Sequence, residues 1–552
     1  MVLLRLLLLL VRTAAEASSN FSAELETQSS LTLPRAPPPP PSCPVVGGVC
    51  DASRCADGFS AVDSTLALGT AFASGAHTVL VRNMGTPWLV TSRLSLALAN
   101  QTVLLEAGAV IEAKRFAPFW NNSGSMKPIT NPLPLLQTAQ AGSTNVSIVG
   151  LGPGAALRMQ KQDYMDYSKY PLHNEWRHGI YISGSTDISV TDIAIENTGG
   201  DGICISWESQ RVHIARVHVN SSYRNALTIT NGRDVLVEDS SFSNTFGTPP
   251  EAGCDIEPDW PYTWLKNITF KNSTFAGNEG PGFSLAPSAL KAYNRSQFPN
   301  KGCAEMRTSD DAPACPMSIA LEGCTITGRP EGVRKPCKDD NRFDCWPLTS
   351  YPGTGVGSQG EDEQYGIAVG GVRQRLSFVS VPFFAVQLYA LTRLTEDRPL
   401  NLQLHHDGPR GTFRVADTVI ARTALSGIMI SEKASTAALM IFDNVTLIET
   451  ATNRTGYSNW IYKGGWLNSP VVIQDDSPLL YGSPGGIVFA GLRVEQSVPR
   501  PWLTTDIEPS TRLLSIGGKV TVASEWPHIA CGVNASKPSD IEDLVGVEIV
   551  CG

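Results

Sequence analysis

Gly179-Ile-Tyr-Ile182, Gly202-Ile-Cys-Ile205, Ala226-Leu-Thr-Ile229, Gly253-Cys-Asp-Ile256 and Gly282-Phe-Ser-Leu285 are one cassette returning at steps of 23, 24, 27 and 29 residues. A second strand pattern runs between its copies, as Asp187-Ile-Ser-Val190, Arg211-Val-His-Ile214, Asp234-Val-Leu-Val237 and Asn267-Ile-Thr-Phe270. Asn197, Asn220, Asn244 and Asn278 follow at expected turns. Short alternating strands, two or three per period, cannot bury their apolar face alone, whereas stacked coils bury it continuously. The asparagines are expected to form a ladder, each amide bonding to its counterpart one coil away and satisfying polar groups that turn inward. The competing reading is a β-sandwich with chance spacing, but sandwich strands rarely keep one cassette in step over five units.

The cassette returns as Gly366-Ile-Ala-Val369, Gly427-Ile-Met-Ile430 and Gly486-Ile-Val-Phe489. The sequence therefore predicts an all-β chain, a single-stranded right-handed parallel β-helix over residues 81–500. Solenoids need covered ends, supplied here by an N-terminal cap over 43–80 and a C-terminal tail over 501–552 closed by Cys531 and Cys551. Residues 286–364 hold Cys303, Cys315, Cys324, Cys337 and Cys345 with the acidic run Glu361-Asp-Glu363, and read as a disulfide-pinned insertion.

The first residues join one cation, Arg5, to the apolar run Leu6 to Val11 and then to Ala14, Ala15 and Ala17, the pattern of a signal peptide over 1–17. That run falls far short of the roughly 20 residues a membrane span requires. Pro37 to Pro41 stiffen a linker over 18–42. Asn-x-Ser/Thr acceptors stand at Asn20, Asn100, Asn121, Asn145, Asn220, Asn267, Asn272, Asn294, Asn444, Asn453 and Asn534. With 12 cysteines, clustered at Cys43, Cys50, Cys55 and again beyond Cys303, they point to an oxidising secretory route and a glycan-coated, extracellular or cell-wall monomer. A net charge of −9 argues against nucleic acid as partner.

Asp63-Ser-Thr65, Ala67 to Ser74, His77 to Val81 and Asn100 to Ala109 resemble the entry of the pectin-lyase-like superfamily, where a capping helix leads into the first coils. Glu175-Trp-Arg-His178, Gly199-Gly-Asp-Gly-Ile203, Tyr223-Arg-Asn225 and Gly253-Cys-Asp-Ile-Glu-Pro258 resemble a group of secreted β-helix proteins of that superfamily. The resemblance covers about residues 60–290 and implies the polysaccharide lyase or polygalacturonase type of fold; fold does not fix reaction. Asn197-Thr-Gly-Gly-Asp201 only loosely resembles the polygalacturonase Asn-Thr-Asp element, and the paired aspartates one coil on, the Gly-His-Gly and the Arg-Ile-Lys of those hydrolases are absent. The Asp-Pro-His element of mannuronan epimerases is absent too.

Alternation within the cassette points Tyr181, Cys204, Thr228, Asp255 and Ser284 outward, with Ser183, Ser206, Thr230, Glu257 and Ala286 two residues on. His178, Asp201 and Arg224 sit at the preceding turn, so all share one patch. Asp255 and Glu257 are alternate residues of one strand, with Cα atoms about 6.5–7 Å apart, a spacing that suits an inverting glycosidase. Asp201, Asp255 and Glu257 are the acid and base candidates, and Arg224 and His178 orient substrate. Each also has a bland reading: a capped turn for Asp201, a stacked turn residue for His178, a structural bridge for Arg224. Asp255 and Glu257 are harder to dismiss, because two exposed carboxylates repel unless something compensates.

Elimination is the alternative, with Asp255, Glu257 and Asp259 holding Ca2+ against an acidic sugar and Arg224 or His178 taking the proton. Trp176, Tyr181, Tyr223, Trp260, Tyr262 and Trp264, with Trp207 beside them, are the candidates to stack on a polysaccharide or oligosaccharide. The sequence thus predicts a carbohydrate-active enzyme, hydrolase ahead of lyase, with a non-catalytic glycan-binding β-helix as the alternative of another class.

Overall fold

The computed structural model describes residues 43–55, 58–121, 132–138, 142–166, 170, 175–248, 250–290, 293–294, 311–312, 315–328, 367–369, 410–423, 427–431, 438–450, 469–475, 487–497, 501–507, 515–524, 533–535 and 547–551. The expected signal peptide and linker lie outside these residues, as do Glu361-Asp-Glu363, Cys303, Cys337, Cys345 and Cys531. Among the described residues no helix is long and apolar enough to cross a membrane.

The chain is all-β and winds as a parallel β-helix. One turn of the coil is represented by Ile180–Ser183, Thr186–Thr191 and Ala194–Glu196. Each strand pairs in parallel with its counterpart one coil on, Ile180 with Ile203, Ile188 with Val212 and Ile195 with Val219. Among the described residues the cassettes form a twelve-stranded sheet of their own and the other two strand columns merge into a twenty-five-stranded sheet, but Ile487–Phe489, read as a further cassette, is corrected to a strand of the larger sheet, where it pairs with Met440–Phe442. The cassette glycine follows from the stacking: a Cβ on Gly202 would collide with Val219 and the Ala226 carbonyl, and one on Gly253 with the Gly282 carbonyl.

Ile180, Ile182, Ile203, Ile205, Leu227, Ile229, Ile256 and Leu285 enter the core, as their alternation requires. Further along the axis the core becomes aromatic: Phe242 stacks on Phe275 at 5.4 Å, Phe283 on Phe413 at 6.0 Å, and Phe442 on Phe489 at 5.7 Å. The N-terminal end is covered by the helix Thr65–Phe72, which buries Ala67, Leu68, Ala71 and Phe72. Gln101, buried in the first coils, donates its amide to the Phe72 and Ala76 carbonyls and so ties the helix end to the coil.

The corners use left-handed backbone. Asn100, Asn145, Asp187, Arg211, Asp234 and Asn267 form one such column, and Asp192, Arg216, Asp239, Asn272, Asp417 and Asn444 another, all with φ between 48° and 59°. Outside glycine this conformation costs about 1–2 kcal/mol, and each column offsets it with contacts between coils. Arg211 chelates Asp187 at 2.6 and 2.9 Å, and Arg216 chelates Asp192 at 2.7 and 2.8 Å. Asn145 donates to Asn100 at 2.9 Å, and Asn267 donates to Asp234 at 2.9 Å.

The ladder is therefore an exposed one on the corners, where the sequence reading placed it inside. Of the four expected asparagines, Asn244 bonds to Asn220 at 2.8 Å on the surface, while Asn278 alone bonds inward between coils, accepting from the Thr245 N–H and hydroxyl one coil back and donating to the Phe242 carbonyl. The physical reason is that an inward amide would compete with apolar packing that stacks at lower cost.

Two boundaries shift. Leu503–Ile507, Ser515–Ser524, Val533–Ala535 and Val547–Cys551 continue the parallel pairing, so the coil runs well past residue 500. The span 286–364 is no single insertion, because Pro316–Glu322 and Thr325–Thr327 inside it are ordinary coil strands. Cys43 and Cys55 form the N-terminal disulfide, and Cys315 and Cys551 are also disulfide-bonded. Cys324, expected in a staple, is a buried free thiol beneath the coil surface, as are Cys50, Cys204 and Cys254.

Phe283 is fully buried between Phe270, Phe275 and Phe413. Phe283→Ala is expected to lower unfolding free energy by about 3–5 kcal/mol, and Phe283→Leu by clearly less, read from chemical-denaturation midpoints; equal losses would contradict this packing.

Candidate functional site

Register carries Tyr181, Cys204, Thr228, Asp255 and Ser284 into one column on the outer face of the twelve-stranded sheet. None of the five belongs to the apolar core, yet all are buried, Asp255 to 1% exposure. The expectation of a flat exposed face is corrected here, because residues of the preceding turns fold over the column. Trp176–Arg177 pairs antiparallel with Gly199–Gly200 and brings Glu175, His178 and Asp201 alongside it. Gly200 is required for this close approach, since a Cβ there would land on the Glu175 carbonyl.

Arg224 is the centre of the cluster. Its guanidinium lies 2.9 Å from Glu257, 3.7 Å from Asp201, 3.7 Å from Glu175 and 3.9 Å from Asp255. Asn225 links the two buried carboxyls, its backbone N–H donating to Asp201 at 3.2 Å and its side-chain amide to Asp255 at 3.3 Å. That amide also reaches the Thr228 hydroxyl at 3.1 Å, and its oxygen accepts from Ala252 N–H at 3.0 Å.

Burial pushes the Asp201 carboxyl up to about 6 against the opposing pull of Arg224, the Thr228 hydroxyl and the Asn225 N–H. Burial and then the charge of Glu257 push Asp255 up to about 8, with Arg224 and the Ser284 hydroxyl opposing. Burial alone would discharge Arg224, but Asp201, Glu175, Glu257 and Asp255 hold it protonated and well above the ordinary arginine value. Burial, helped by Arg224, lowers His178 to about 3. The His178 Nδ1 accepts the Asp201 backbone N–H at 3.1 Å, which leaves the ring proton on Nε2.

Asp201, Asp255, Glu257, Arg224 and His178 are thus brought together, but with changed characters. Glu257 keeps a side chain 46% exposed and is the carboxylate that faces solvent. Arg224, held protonated, cannot take a proton, and the lone pair of His178 is already used; neither suits the base of an elimination. Calcium needs six to eight oxygens around an open centre, whereas the space between Asp255 and Glu257 is filled by the Arg224 guanidinium and Asp259 stands exposed. The expected metal set of Asp255, Glu257 and Asp259 does not fit. His178, Asp201 and Cys204 bring ligand atoms within 4.8 Å of one another, but two of them are already engaged with each other and with Arg224.

The aromatic candidates divide. Tyr223 and Tyr181 are buried, the latter stacked on His178 at 5.7 Å, so neither offers a free face to a sugar. Trp264 is covered by Arg233 at 4.3 Å, and half-buried Trp176 meets His178 edge-on. Trp260 is 48% exposed and lies parallel to Tyr262, and Trp207 is 60% exposed. Glu175 and the bridging role of Asn225 escaped the sequence reading. Their position just ahead of a cassette, shared with Asp201 and His178, was the available signal.

Residues 158–312 match the family described as right handed beta helix region. A segment of 125 residues is 34% identical to the uncharacterized protein YclG of Bacillus subtilis, covering 19% of this chain and 21% of that one. The chain thus spans about a fifth of the curated relative it matches. Among solved structures it is similar to a family 28 exopolygalacturonase of Yersinia enterocolitica, at 10% identity and a TM-score of 0.43 over 91% of this chain and 77% of that one. It is also similar to PfbA, a surface adhesin of Streptococcus pneumoniae, at 11% identity and a TM-score of 0.46 over 86% and 87%. The parallel coil and the family match agree: this chain folds as a right-handed parallel β-helix.

Proposed function

We propose that the chain is an extracellular carbohydrate-active enzyme that hydrolyses glycosidic bonds in a polysaccharide, with Asp255 as general acid and Glu257 as general base. The observation that carries this reading is that one guanidinium nitrogen of Arg224 lies within reach of both carboxyls, which differ in environment. Their nearest oxygens are therefore no more than about 7 Å apart, a ceiling that reaches the short end of the separation inverting glycosidases use to fit a water and also covers the closer spacing of retaining ones. Asp255, protonated near neutrality, would donate to the leaving oxygen, and solvent-facing Glu257 would take the proton of the attacking water. Arg224, Asn225 and Asp201 position the pair, and Trp260 with Trp207 offers sugar-stacking faces.

Elimination has less support, since neither Arg224 nor His178 is fitted to accept a proton. A non-catalytic glycan-binding β-helix is the second reading, and one observation favours it: Asp201 and Asp255 are only 1% exposed.

Product analysis on a panel of plant, algal and microbial polysaccharides tests these readings, with and without chelator. New reducing ends without ultraviolet-absorbing unsaturated products are expected, unchanged by chelator. Unsaturated products would establish a lyase, and binding without products would establish the second reading. Asp255→Asn and Glu257→Gln are each expected to lower kcat by about 10²-fold or more, with melting temperature held as the control for folding.

The pH dependence follows from the same carboxyls. Asp255 must be protonated to act as acid, so kcat should fall as pH rises through about 8. The folded state binds protons that the unfolded state has released, so stability should fall as pH rises from the ordinary aspartate value of 3.8 through about 6 for Asp201 and about 8 for Asp255. Denaturation across this range is expected to show that decline, with its upper part flattened in Asp255→Asn; a stability that rises over the window would contradict the assigned environments.

A further inference from the structure

The Asn-x-Ser/Thr acceptors play no part in the proposed chemistry, and the fold gives them an unexpected arrangement. Asn145, Asn220, Asn267, Asn272 and Asn444 are exposed and lie on or between strands of the twenty-five-stranded sheet, and exposed Asn100 directly precedes another of its strands. All but Asn220 occupy left-handed corners. Three of them are rungs that donate to an aspartate one coil back: Asn267 to Asp234 at 2.9 Å, Asn272 to Asp239 at 3.4 Å and Asn444 to Asp417 at 2.7 Å.

We propose that Asn267, Asn272 and Asn444 are N-glycosylated and that each linked asparagine keeps its rung. An asparagine amide carries two N–H groups, and the rung uses one. Transfer from a polyprenyl-pyrophosphate-linked oligosaccharide replaces the other. One Nδ2–H bond breaks, the Nδ2 to anomeric carbon bond forms, and the polyprenyl pyrophosphate leaves as the proton is released. The remaining N–H still reaches the aspartate, and the sugar projects from an exposed corner where the backbone already turns outward. The other amide hydrogens of the stack are unaffected, because each of these aspartates is an acceptor only.

The geometry separates two ways of removing the sugar. An endoglycosidase that cuts between the two core N-acetylglucosamines leaves the linked amide and its N–H in place. Peptide-N-glycosidase instead converts the asparagine to aspartate, which removes the donor and sets a carboxylate against Asp234, Asp239 or Asp417, a like-charge contact that destabilises paired strands. Arg211 and Arg216 offer little relief, since each is chelated by the aspartate one coil back.

The test uses full-length protein secreted from a eukaryotic host restricted to high-mannose glycans, with peptide mass spectrometry for occupancy and thermal unfolding for stability. Glycan is expected at Asn267, Asn272 and Asn444. The peptide-N-glycosidase product should melt lower than the endoglycosidase product by about 2 °C or more. Where the enzyme does not reach a site, the same comparison is made between unglycosylated wild type and N267D/N272D/N444D, with the same expected difference. Secreted protein bare at the three positions would overturn the assignment of glycans, and equal melting of the two products would overturn the preserved rung. Neither readout depends on catalytic activity, so failure here is distinct from failure of the proposed hydrolysis.

Discussion

Each coil must present its backbone amides to the next at hydrogen-bonding distance, and nearly everything else in this chain follows from that constraint. It forces equivalent positions to lie directly above one another, about 4.8 Å apart. Small residues become mandatory where coils approach, as at Gly202 and Gly253. The corners must turn sharply enough to keep strands in register, which commits residues such as Asp187, Arg211, Asp234 and Asn267 to left-handed backbone. Their mutual hydrogen bonds along the axis offset the conformational cost, so the ladder and the turn are one device.

The same regularity creates the electrostatic problem at the candidate site. Positions just ahead of one cassette and within and just after another two coils on carry Asp201, Asp255 and Glu257, and stacking brings their charges together whether or not solvent is present to screen them. The fold answers by placing Arg224 among them and by excluding water from two of the three. Desolvation then keeps Asp255 protonated near neutrality, which lowers the repulsion further. A carboxyl held neutral beside one left in solvent is thus a product of stacking geometry, with Asn225 fixing the distance between the buried pair.

Periodicity made the architecture legible, because apolar alternation and the cassette step report directly on what each coil must bury. The meeting of Asp201, Arg224, Asp255 and Glu257 was legible for the same reason, since register converts sequence offsets into neighbours. Burial was not. Whether the outward column is covered depends on turn residues such as His178, Arg224 and Asn225 packing against it, and no period in the sequence records where a turn lies. Hence Tyr181 and Tyr223 read as exposed platforms and are buried. The left-handed corners were in plain view as the first residue of each second-strand motif, Asp187, Arg211, Asp234 and Asn267, but alternation counts them as strand. The span 286–364 misled because its cysteines drew attention away from Met317, Ile319 and Leu321, which alternate like any other coil strand.

Under the proposed hydrolysis, the burial of Asp255 need not separate it from substrate, and the contacts of Arg224 explain why. Its one short contact is to solvent-facing Glu257 at 2.9 Å, whereas Asp201 and Asp255 stand 3.7 and 3.9 Å away, beyond a hydrogen bond. The guanidinium is therefore anchored at its exposed edge. Giving up a contact to a group as exposed as Glu257 costs less than breaking a fully buried pair. Ordered sugar hydroxyls, which accept from a guanidinium and donate to a carboxylate, can replace both partners of that contact at once. Neutral Asp255 loses little when the guanidinium leaves that edge while staying beside Asp201, because a protonated carboxyl needs no counter-charge. The arrangement is stable while closed and inexpensive to open at one edge only, the edge on which Glu257 lies.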